Sequence, residues 1–599
     1  MMRRWLLLAV LALVPLRVAA QAGGAETDQT IRAMQDEMAR SMARLHTATL
    51  GRPYFIAYRL LDVEMRTVTA EFGALVNAST TRNRFMVVEV RMGDYHIDSS
   101  NFITSGGFQG SLGSAGQVGI DGDYNSLRQD LWLATDQAYK QAADQLARKQ
   151  AFLNSLARPP EIDDFSRIER PVVLVQPHAQ PDWTDRNWEQ EAREASAVFR
   201  QFPELATGRV TYTLLYTTYY LLTSEGTLLR VPRSLAAIEA TVDTQAPDGM
   251  PLHDFLTAYA RRPAELPPLA QVRAACQKLG QELVALRNSP SVPDYEGPVL
   301  FEPEATASLL VQALGPSLSG ARPPLSTVSM FDQMLEQLGA RNQWTGRLEQ
   351  RVLDPSLTLV DDPTADSFQG QPLLGSYRVD DEGVPAQRVL LVENGILKSF
   401  LMSRRPGPDL SQSNGHGRAA DLGTPVPSIG NLFLQSNAAL DPAALRAKFL
   451  EVCRANHLPW CLVVRRMDNP ALAATGRQDF EEMLSGIVTG VANGDRVPAV
   501  VARIWTSDGH EELVRGARLT GLTVRALRSI AAMGNDYRVI HLMENPSFLG
   551  TALAPFGSAA SGLPASVVAP SLLLEDVDVR GPHGGEQRPP LLPPPPLQP

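Results

Sequence analysis

The chain has 599 residues, 44% of them hydrophobic, and a formal net charge of −10 at pH 7. This length is more than one hydrophobic core usually serves, so we expect two main domains. The acidic balance, without any Lys- or Arg-rich run, disfavours a nucleic-acid-binding role. With only 3 cysteines, the fold is not expected to depend on a disulfide framework.

The first twenty residues have the order typical of a cleavable export signal. Arg3 and Arg4 precede an apolar run from Trp5 to Pro15, and small residues at 18–20 precede Gln21. Residues 1–20 are therefore predicted to be a signal peptide, and the protein is expected to be exported, either periplasmic or secreted. The alternative is a retained anchor helix, although the run is short for crossing a bilayer. No later segment is apolar enough to span a membrane, so none is expected in the mature chain.

The segment from residue 21 to residue 290 is predicted to be an N-terminal domain of helices and antiparallel strands. Apolar residues recur at helical spacing over 26–48, from Ser126 onward, and over 269–287. The clearest strand pair is 210–223 with 227–231, because both arms are rich in β-branched and aromatic residues and Gly226 lies in the turn between them. The Pro- and Ser-containing stretch 288–293 marks the predicted domain boundary.

Residues 291–580 are predicted to form a C-terminal domain dominated by a twisted antiparallel sheet. Asn394-Gly395 and Asp508-Gly509 each lie between two apolar segments, which is the pattern of a β-hairpin. Helices are predicted for 442–453 and 524–533. Residues 581–599 are rich in proline and are predicted to be an extended tail. The fold class expected from all these elements is α+β with two domains.

Cys453 and Cys461 flank a predicted helix-to-strand turn and allow three interpretations. With His457 they have zinc-ligand residue types at C-x3-H-x3-C spacing, but Pro459 breaks the helix that would bring the three side chains to one face. They could also form one disulfide bond, since an exported protein reaches an oxidising compartment. The interpretation favoured by the sequence is that both are free, half-buried thiols.

Several short blocks in the second half resemble, in the same order, those of the TldD/PmbA family of peptidases, also called the modulator of DNA gyrase family. The blocks are Gly346-Arg347-Leu348, 359–364, Gly375-Ser376-Tyr377, 380–388, 392–398, 413–418 and 515–523. The resemblance covers roughly residues 297–580. In the first half it is limited to the outline of helices and hairpins.

The resemblance implies a metal site in the family's catalytic members. These members hold one metal, expected to be zinc, with two histidines of a HExxxH helix and a cysteine near the C-terminus, while a Glu activates the bound water. Phe301 and Thr306 stand at the two histidine positions here, and only Glu302 remains. No cysteine follows Cys461, and the segment 556–561 has small residues near the expected place. We therefore assign no metal ligand and predict no cofactor.

Five residues are candidates for a functional site. Glu302 and His416 are the candidate catalytic residues, since Glu302 keeps the family's acid and an exposed His416 between glycines could reach a ligand. Glu304, Asp380 and Asp381 are the candidate binding residues, because their carboxylates could ligate a harder metal if the fold brings them together with His416. The alternative is that the acidic residues lie in solvated turns and that His416 is hydrogen-bonded within its own loop.

Two functions that involve a ligand are consistent with these observations, and a third interpretation is an exported structural protein with no ligand. Within the family, the PmbA side lacks the metal ligands and pairs with the catalytic subunit, so a retained scaffold without ligands has a precedent. The favoured hypothesis is an exported protein that binds peptides or unfolded protein segments, or assembles as a homodimer or with a related subunit. The alternative is an exported metallopeptidase with replaced ligands. The sequence thus leaves open whether the protein is an enzyme.

Overall fold

The computed structural model describes residues 28–46, 51–103, 114–156, 161–178, 180–183, 186–327, 342–420, 423–468, 497–544 and 562–582. The predicted signal peptide, the segment 556–561 and nearly all of the predicted tail lie outside the described residues. The predicted α+β class is confirmed. The α-helices of the described part are α1 Gln29–Arg44, α2 Tyr124–Ser155, α3 Trp188–Ala197, α4 Leu269–Arg287, α5 Pro303–Leu318 and α6 Pro442–Ala455.

The first half of the chain is organised around one large, mainly antiparallel sheet. Its strands run in the order β4-β2-β1-β6-β7-β5, and β8 also pairs with β7. The first eight strands of the chain are β1 Phe55–Glu71, β2 Ala74–Arg91, β3 Phe102–Ile103, β4 Ser114–Val118, β5 Val173–Val175, β6 Thr207–Thr223, β7 Leu228–Gln245 and β8 Pro251–Ala260. The predicted hairpin is confirmed as β6 and β7, with Gly226 at a φ of 101° in its turn.

Two pairs of helices cover one face of this sheet at its opposite ends. Ile56 and Tyr58 of β1 pack with α1 and α2, whereas Val68 and Ala70 of the same strand pack with α3 and α4. These residues are an even number of positions apart, so they point to the same face. Asp28 and Asp123 begin α1 and α2 by accepting hydrogen bonds from first-turn N–H groups.

The second half contains two large sheets with α5 between them, rather than the single sheet expected, and two small two-stranded sheets, β12-β13 and β16-β17. One sheet has the order β15-β14-β11-β18-β25-β24, and the other has β21-β20-β19-β9-β26-β22 with β23 paired to β26. The pairs β18/β25 and β9/β19 are parallel. The strands are β9 Tyr295–Phe301, β10 Leu325–Ser326, β11 Leu357–Asp361, β12 Ser367–Phe368, β13 Gln371–Pro372, β14 Val389–Glu393, β15 Ile396–Leu397, β16 Gly417–Arg418, β17 Val426–Pro427, β18 Asn431–Ser436, β19 Trp460–Met467, β20 Pro498–Trp505, β21 Glu511–Val514, β22 Arg518–Thr520, β23 Ala532–Met533, β24 Arg538–Glu544, β25 Leu563–Ala569 and β26 Leu572–Arg580.

The predicted C-terminal hairpins are confirmed, but one predicted helix is wrong. Asn394 and Gly395 both adopt positive φ between β14 and β15. The segment 524–533 forms a short 3-10 helix at Val524–Arg528 and then enters β23. The reason is that the N–H of Ile530 donates to the Asp354 carboxylate and that of Ala531 to the Leu573 carbonyl, so neither closes a helical turn.

Cys453 and Cys461 form a disulfide, so the favoured interpretation as free thiols is wrong. The last turn of α6 and the start of β19 bring their Cα atoms within 6.2 Å, and both residues are fully buried. The turn closes tightly because His457 adopts a φ of 55° and the N–H of Leu458 donates to the Cys453 carbonyl. The C-x3-H-x3-C zinc site is therefore not formed.

Buried polar contacts join the two halves. The β3 strand pairs in parallel with β10, and the Tyr219 hydroxyl donates to the Asp381 carbonyl at 2.9 Å. Arg404 donates to both oxygens of Glu225 and to the Ser166 carbonyl.

The predicted boundary at 290/291 lies between α4 and β9 and stays a prediction. None of the described helices is both long and apolar enough to cross a bilayer.

Candidate functional site

The first residues to consider are those at the start of α5. Glu302 is the N-cap, in extended conformation, and Pro303 takes the first helical position, where its missing N–H costs nothing. Phe301 is fully buried in the core, and the Thr306 hydroxyl, also fully buried, donates to the Phe301 carbonyl at 3.2 Å. Both positions that would carry histidines in the family's metal motif are therefore occupied by packing and local hydrogen bonding. They do not fit a metal.

Glu302 and Glu304 both face arginines of β19. The Glu302 carboxylate lies 3.8 Å from Arg465, and the Glu304 carboxylate accepts a hydrogen bond from Arg466 at 3.1 Å. Their side chains are 45% and 37% exposed, so solvent and solutes reach both. Burial raises the pKa of each carboxyl, while the neighbouring arginine opposes this shift. We call Glu302, Glu304, Arg465 and Arg466 the α5 rim.

Arg466 also connects the rim to the first half of the chain. Its guanidinium donates to Asp254 of β8 at 2.5 Å, and Asp254 is almost completely buried. The other carboxylate oxygen of Asp254 has no hydrogen-bond partner among the described residues. Burial raises the pKa of Asp254, against the effect of Arg466. Sequence reasoning missed Asp254, Arg465 and Arg466; two adjacent arginines in an otherwise apolar strand were the available signal.

His416 is enclosed rather than exposed on a loop, so the expectation of a reachable imidazole is wrong. Its Nε2 lies 3.1 Å from the Asp361 carboxylate and its Nδ1 lies 3.0 Å from the Asn414 side-chain oxygen. His416 and Asp361 are both fully buried. Asp361 also accepts the N–H of Gly430, which fixes the carboxylate at the end of β11. The imidazole is thus held in one orientation by partners on both sides.

Asp380 and Asp381 are also buried, which contradicts the expectation of a solvated turn. Asp380 accepts three backbone N–H groups, including that of Gly417 at 2.9 Å, yet burial and the nearby Glu382 raise its pKa well above the usual range. Asp381 pairs with Arg233 and Arg418. Although burial favours its neutral form, these two arginines lower its pKa to about 2.

The candidate residues therefore separate into two groups. The backbone N–H groups of Gly417 and Ala419, just after His416, donate hydrogen bonds to Asp380 and Asp381. Glu302 and Glu304 instead lie at the α5 rim. Within the described ranges, no group of three or more His, Cys, Asp or Glu is arranged to hold a metal ion. The replacement ligand set is thus not assembled there, and the binding role of the individual residues stays a prediction.

Glu544 is a further buried acid that the sequence did not single out. It ends β24, is almost completely buried, and accepts the N–H of Ile429 at 2.8 Å. Burial, with a contribution from Asp361, raises its pKa to about 8. This shift favours the protonated form of the carboxyl in the folded protein.

Part of the second half is similar to known proteins. Residues 295–452 match the family model described as PmbA/TldA metallopeptidase C-terminal domain. A metalloprotease of Archaeoglobus fulgidus is 29% identical over 186 residues, which are 31% of this chain and 36% of that protein. A metalloprotease TldD homolog of Haemophilus influenzae is 23% identical over 245 residues, or 40% of this chain and 41% of that protein. The chain thus aligns with well under half the length of these two relatives.

The likeness in fold extends over nearly the whole chain. The crystal structure of TldE from Thermococcus kodakarensis aligns with a TM-score of 0.53 and covers 92% of this chain and 100% of that one. The sequences are 14% identical, so this comparison establishes a shared fold and leaves function to the site.

Proposed function

This chain belongs to the TldD/PmbA family, and from that premise we propose that it is an exported member that binds peptides or unfolded protein segments, alone or assembled with a second subunit, without the family's metal. The observation that carries the proposal is that Phe301 and Thr306 stand at the two histidine positions of the family's metal motif. A core aromatic ring and a hydroxyl bonded to its own backbone replace the two imidazoles. The scaffold is kept while its ligand positions serve packing.

The α5 rim supports a peptide as the ligand. It presents two half-exposed carboxylates, Glu302 beside Arg465 and Glu304 beside Arg466, and Arg465 also pairs with Glu511. An extended peptide carries a cationic and an anionic terminus, which such charges of both signs can meet. Paired charges of both signs can exchange partners with such a ligand at modest cost, since they remain partly solvated. Export is supported by the Cys453–Cys461 disulfide, because such bonds persist in oxidising compartments.

The proposal is tested by binding and cleavage measured together. Labelled peptides of degenerate sequence should bind the purified protein, remain intact by mass spectrometry, and bind equally well with a chelator present. The double variant Glu302→Gln and Arg465→Ala should weaken binding by about fivefold or more, since roughly 1 kcal/mol of charge pairing is lost. The matched variant Glu349→Gln and Lys398→Ala removes an exposed ion pair elsewhere in the same half and should leave binding unchanged.

Two results would overturn the proposal. Cleavage that stops on adding a chelator would establish the alternative, a metallopeptidase with replaced ligands. Absence of both peptide binding and subunit association would show that the scaffold has another use.

A further inference from the structure

The helical layer over the first sheet stops partway along β1. Leu60 packs with α1 and α2, and Val68 of the same strand packs with α3 and α4. Between them, and pointing to the same face, are Asp62, Glu64 and Arg66, none of which is fully buried. Because charged side chains are rarely covered by apolar helix faces, this middle part of the sheet remains open to polar contacts.

A cavity of about 560 Å³ lies beside this break in the helical layer. Three strand residues line it from the sheet, namely Arg84 of β2, Tyr220 of β6 and Arg230 of β7. Arg84 is directly across from Asp62, and Tyr220 is directly across from Arg230. The first residues of α1 and the loop 120–122 before α2 line the cavity from the helix side. Small-molecule sites usually have volumes of about 300–1,000 Å³, and we call this cavity the α1 cavity.

Each arginine of the α1 cavity has one guanidinium nitrogen without a partner. Arg84 donates to the Asp62 carboxylate through Nε and Nη2, the latter at 2.8 Å. Arg230 donates to Asp28 through Nη1 at 2.5 Å and to the Gln176 carbonyl through Nε at 2.7 Å. Among the described residues, nothing accepts from Nη1 of Arg84 or from Nη2 of Arg230. The Arg230 side chain is only 9% exposed, so an acceptor placed in the cavity would satisfy a donor that little bulk water reaches.

The Tyr220 hydroxyl is a third donor in the same cavity. It lies 3.3 Å from Nδ1 of His178 and 3.5 Å from the Asp28 carboxylate, and both contacts are long for a hydroxyl. Burial and the charge of Asp28 raise the pKa of Tyr220, so the hydroxyl keeps its proton. The Tyr220 hydroxyl can therefore turn to an acceptor that binds beside the two arginines.

We propose that the α1 cavity binds a small zwitterion, either a free amino acid or a dipeptide. Its carboxylate accepts from the unpartnered nitrogens of Arg84 and Arg230 and from the Tyr220 hydroxyl, because hydrogen bonds between ionised groups are the strong ones. Its ammonium group faces Asp121, which lines the cavity, is exposed, and has no hydrogen bond or ion pair with any described residue.

The charges of the α1 cavity favour a zwitterion over a phosphate group. Asp62 and Asp28 already balance the two arginines, so the cavity holds no surplus positive charge. A phosphate group carries a charge of about −1.5 to −2 at neutral pH, and Asp121 would repel it. A zwitterion adds no net charge and offers both signs. The α1 cavity shares no residue with the α5 rim, so the inference does not depend on the proposed function.

Calorimetric titration of the full chain with L-alanine and with L-alanyl-L-alanine tests the inference. At least one of the two should bind at one molecule per chain. The amide of that ligand, which lacks the carboxylate, and its N-acetyl form, which lacks the ammonium group, should each bind at least tenfold more weakly. Inorganic phosphate should also bind more weakly. Absence of binding by both zwitterions, equal binding of either derivative, or tighter binding of phosphate would overturn the inference.

The variant Arg84→Gln should weaken binding at least fivefold, because the guanidinium is lost while the glutamine amide can still donate to Asp62. Tyr220→Phe removes only a hydroxyl and should weaken binding as well. The matched control is Arg209→Gln, since Arg209 forms another cross-strand ion pair of the same sheet, with Glu71, and does not line the cavity. This control should bind the zwitterion as the native protein does, and circular dichroism checks that all three variants fold. Native affinity in both Arg84→Gln and Tyr220→Phe would contradict the inference.

Titration of the α5 rim variant, Glu302→Gln with Arg465→Ala, distinguishes the α1 cavity from the rim. This variant should bind the zwitterion with native affinity. If zwitterion binding is lost with the rim, the ligand lies at the rim, the inference fails, and the proposed function stands. If longer peptides do not bind the native protein while the zwitterion still binds, the proposed function fails and the inference stands.

Discussion

Replacing Arg404 by alanine is expected to lower the free energy of unfolding by about 3–5 kcal/mol, the range found when one partner of a buried ion pair is removed. Arg404 is 1% exposed and donates to the two Glu225 oxygens at 2.7 and 2.8 Å. It also donates to the Ser166 carbonyl at 2.6 Å and lies 3.8 Å from the centre of the Phe165 ring. Alanine would leave the Ser166 carbonyl without its guanidinium donor and Glu225 without its cationic partner at the junction of the two halves, while the Tyr95 hydroxyl still donates to Glu225. Urea unfolding followed by fluorescence measures the change.

The neighbouring Arg405 is the matched control for this prediction. Its side chain makes no hydrogen bond or ion pair with any described residue, and burial together with Arg91 lowers its pKa. Arg405→Ala should therefore be neutral or slightly stabilising. Equal losses for the two variants would show that general positive charge, rather than the Glu225 pairing, stabilises the junction.

Glu544→Gln is expected to remove a large part of the pH dependence of stability on the alkaline side. The folded-state pKa of Glu544 is about 8 and its ordinary value is 4.5. A raised pKa means that the folded state binds the proton more tightly. The contribution of this carboxyl to stability is therefore complete below pH 4.5 and is lost as the pH rises through about 8. Between pH 5 and pH 9 this carboxyl alone should cost about 4 kcal/mol. Glutamine keeps the acceptor for the Ile429 N–H and carries no charge. The Glu544→Gln variant should therefore lose about 4 kcal/mol less stability than the native protein between pH 5 and pH 9.

The control for Glu544 is Glu393→Gln, at an exposed position beside the Asn394-Gly395 turn. It should leave the slope of stability against pH as in the native protein. If Glu544→Gln also leaves the slope unchanged, the carboxyl is not held protonated by the fold, and its environment is more polar than the structure indicates.

The elements that were predicted well are those determined by local chemistry. Gly226 and Asn394-Gly395 fix their turns because they accept positive φ, and helix α4 follows directly from apolar spacing over 269–287. The helix expected at 524–533 failed because tertiary partners, Asp354 and Leu573, took its backbone donors. Such long-range competition leaves no periodic signal in the sequence.

The site was harder to predict because its charges are paired across the chain. Asp381 resembled a surface turn residue in sequence, yet Arg233, 148 positions away, and Arg418 enclose it. His416 lies between glycines not to stay mobile but because space is tight: a Cβ at Gly415 would meet the Pro385 carbonyl, and one at Gly417 would meet Glu382. The pairing of Arg466 with both Asp254 and Glu304 likewise depends on how the two halves meet.

The most direct test of the central claim is the metal content of the purified protein after dialysis against zinc and then against metal-free buffer. We predict that no stoichiometric metal is retained and that Glu302→Gln changes nothing, because Phe301 and Thr306 offer no ligand beside it. Retention of about one zinc ion per chain, lost in Glu302→Gln, would contradict the account and indicate a catalytic-type site with one open position.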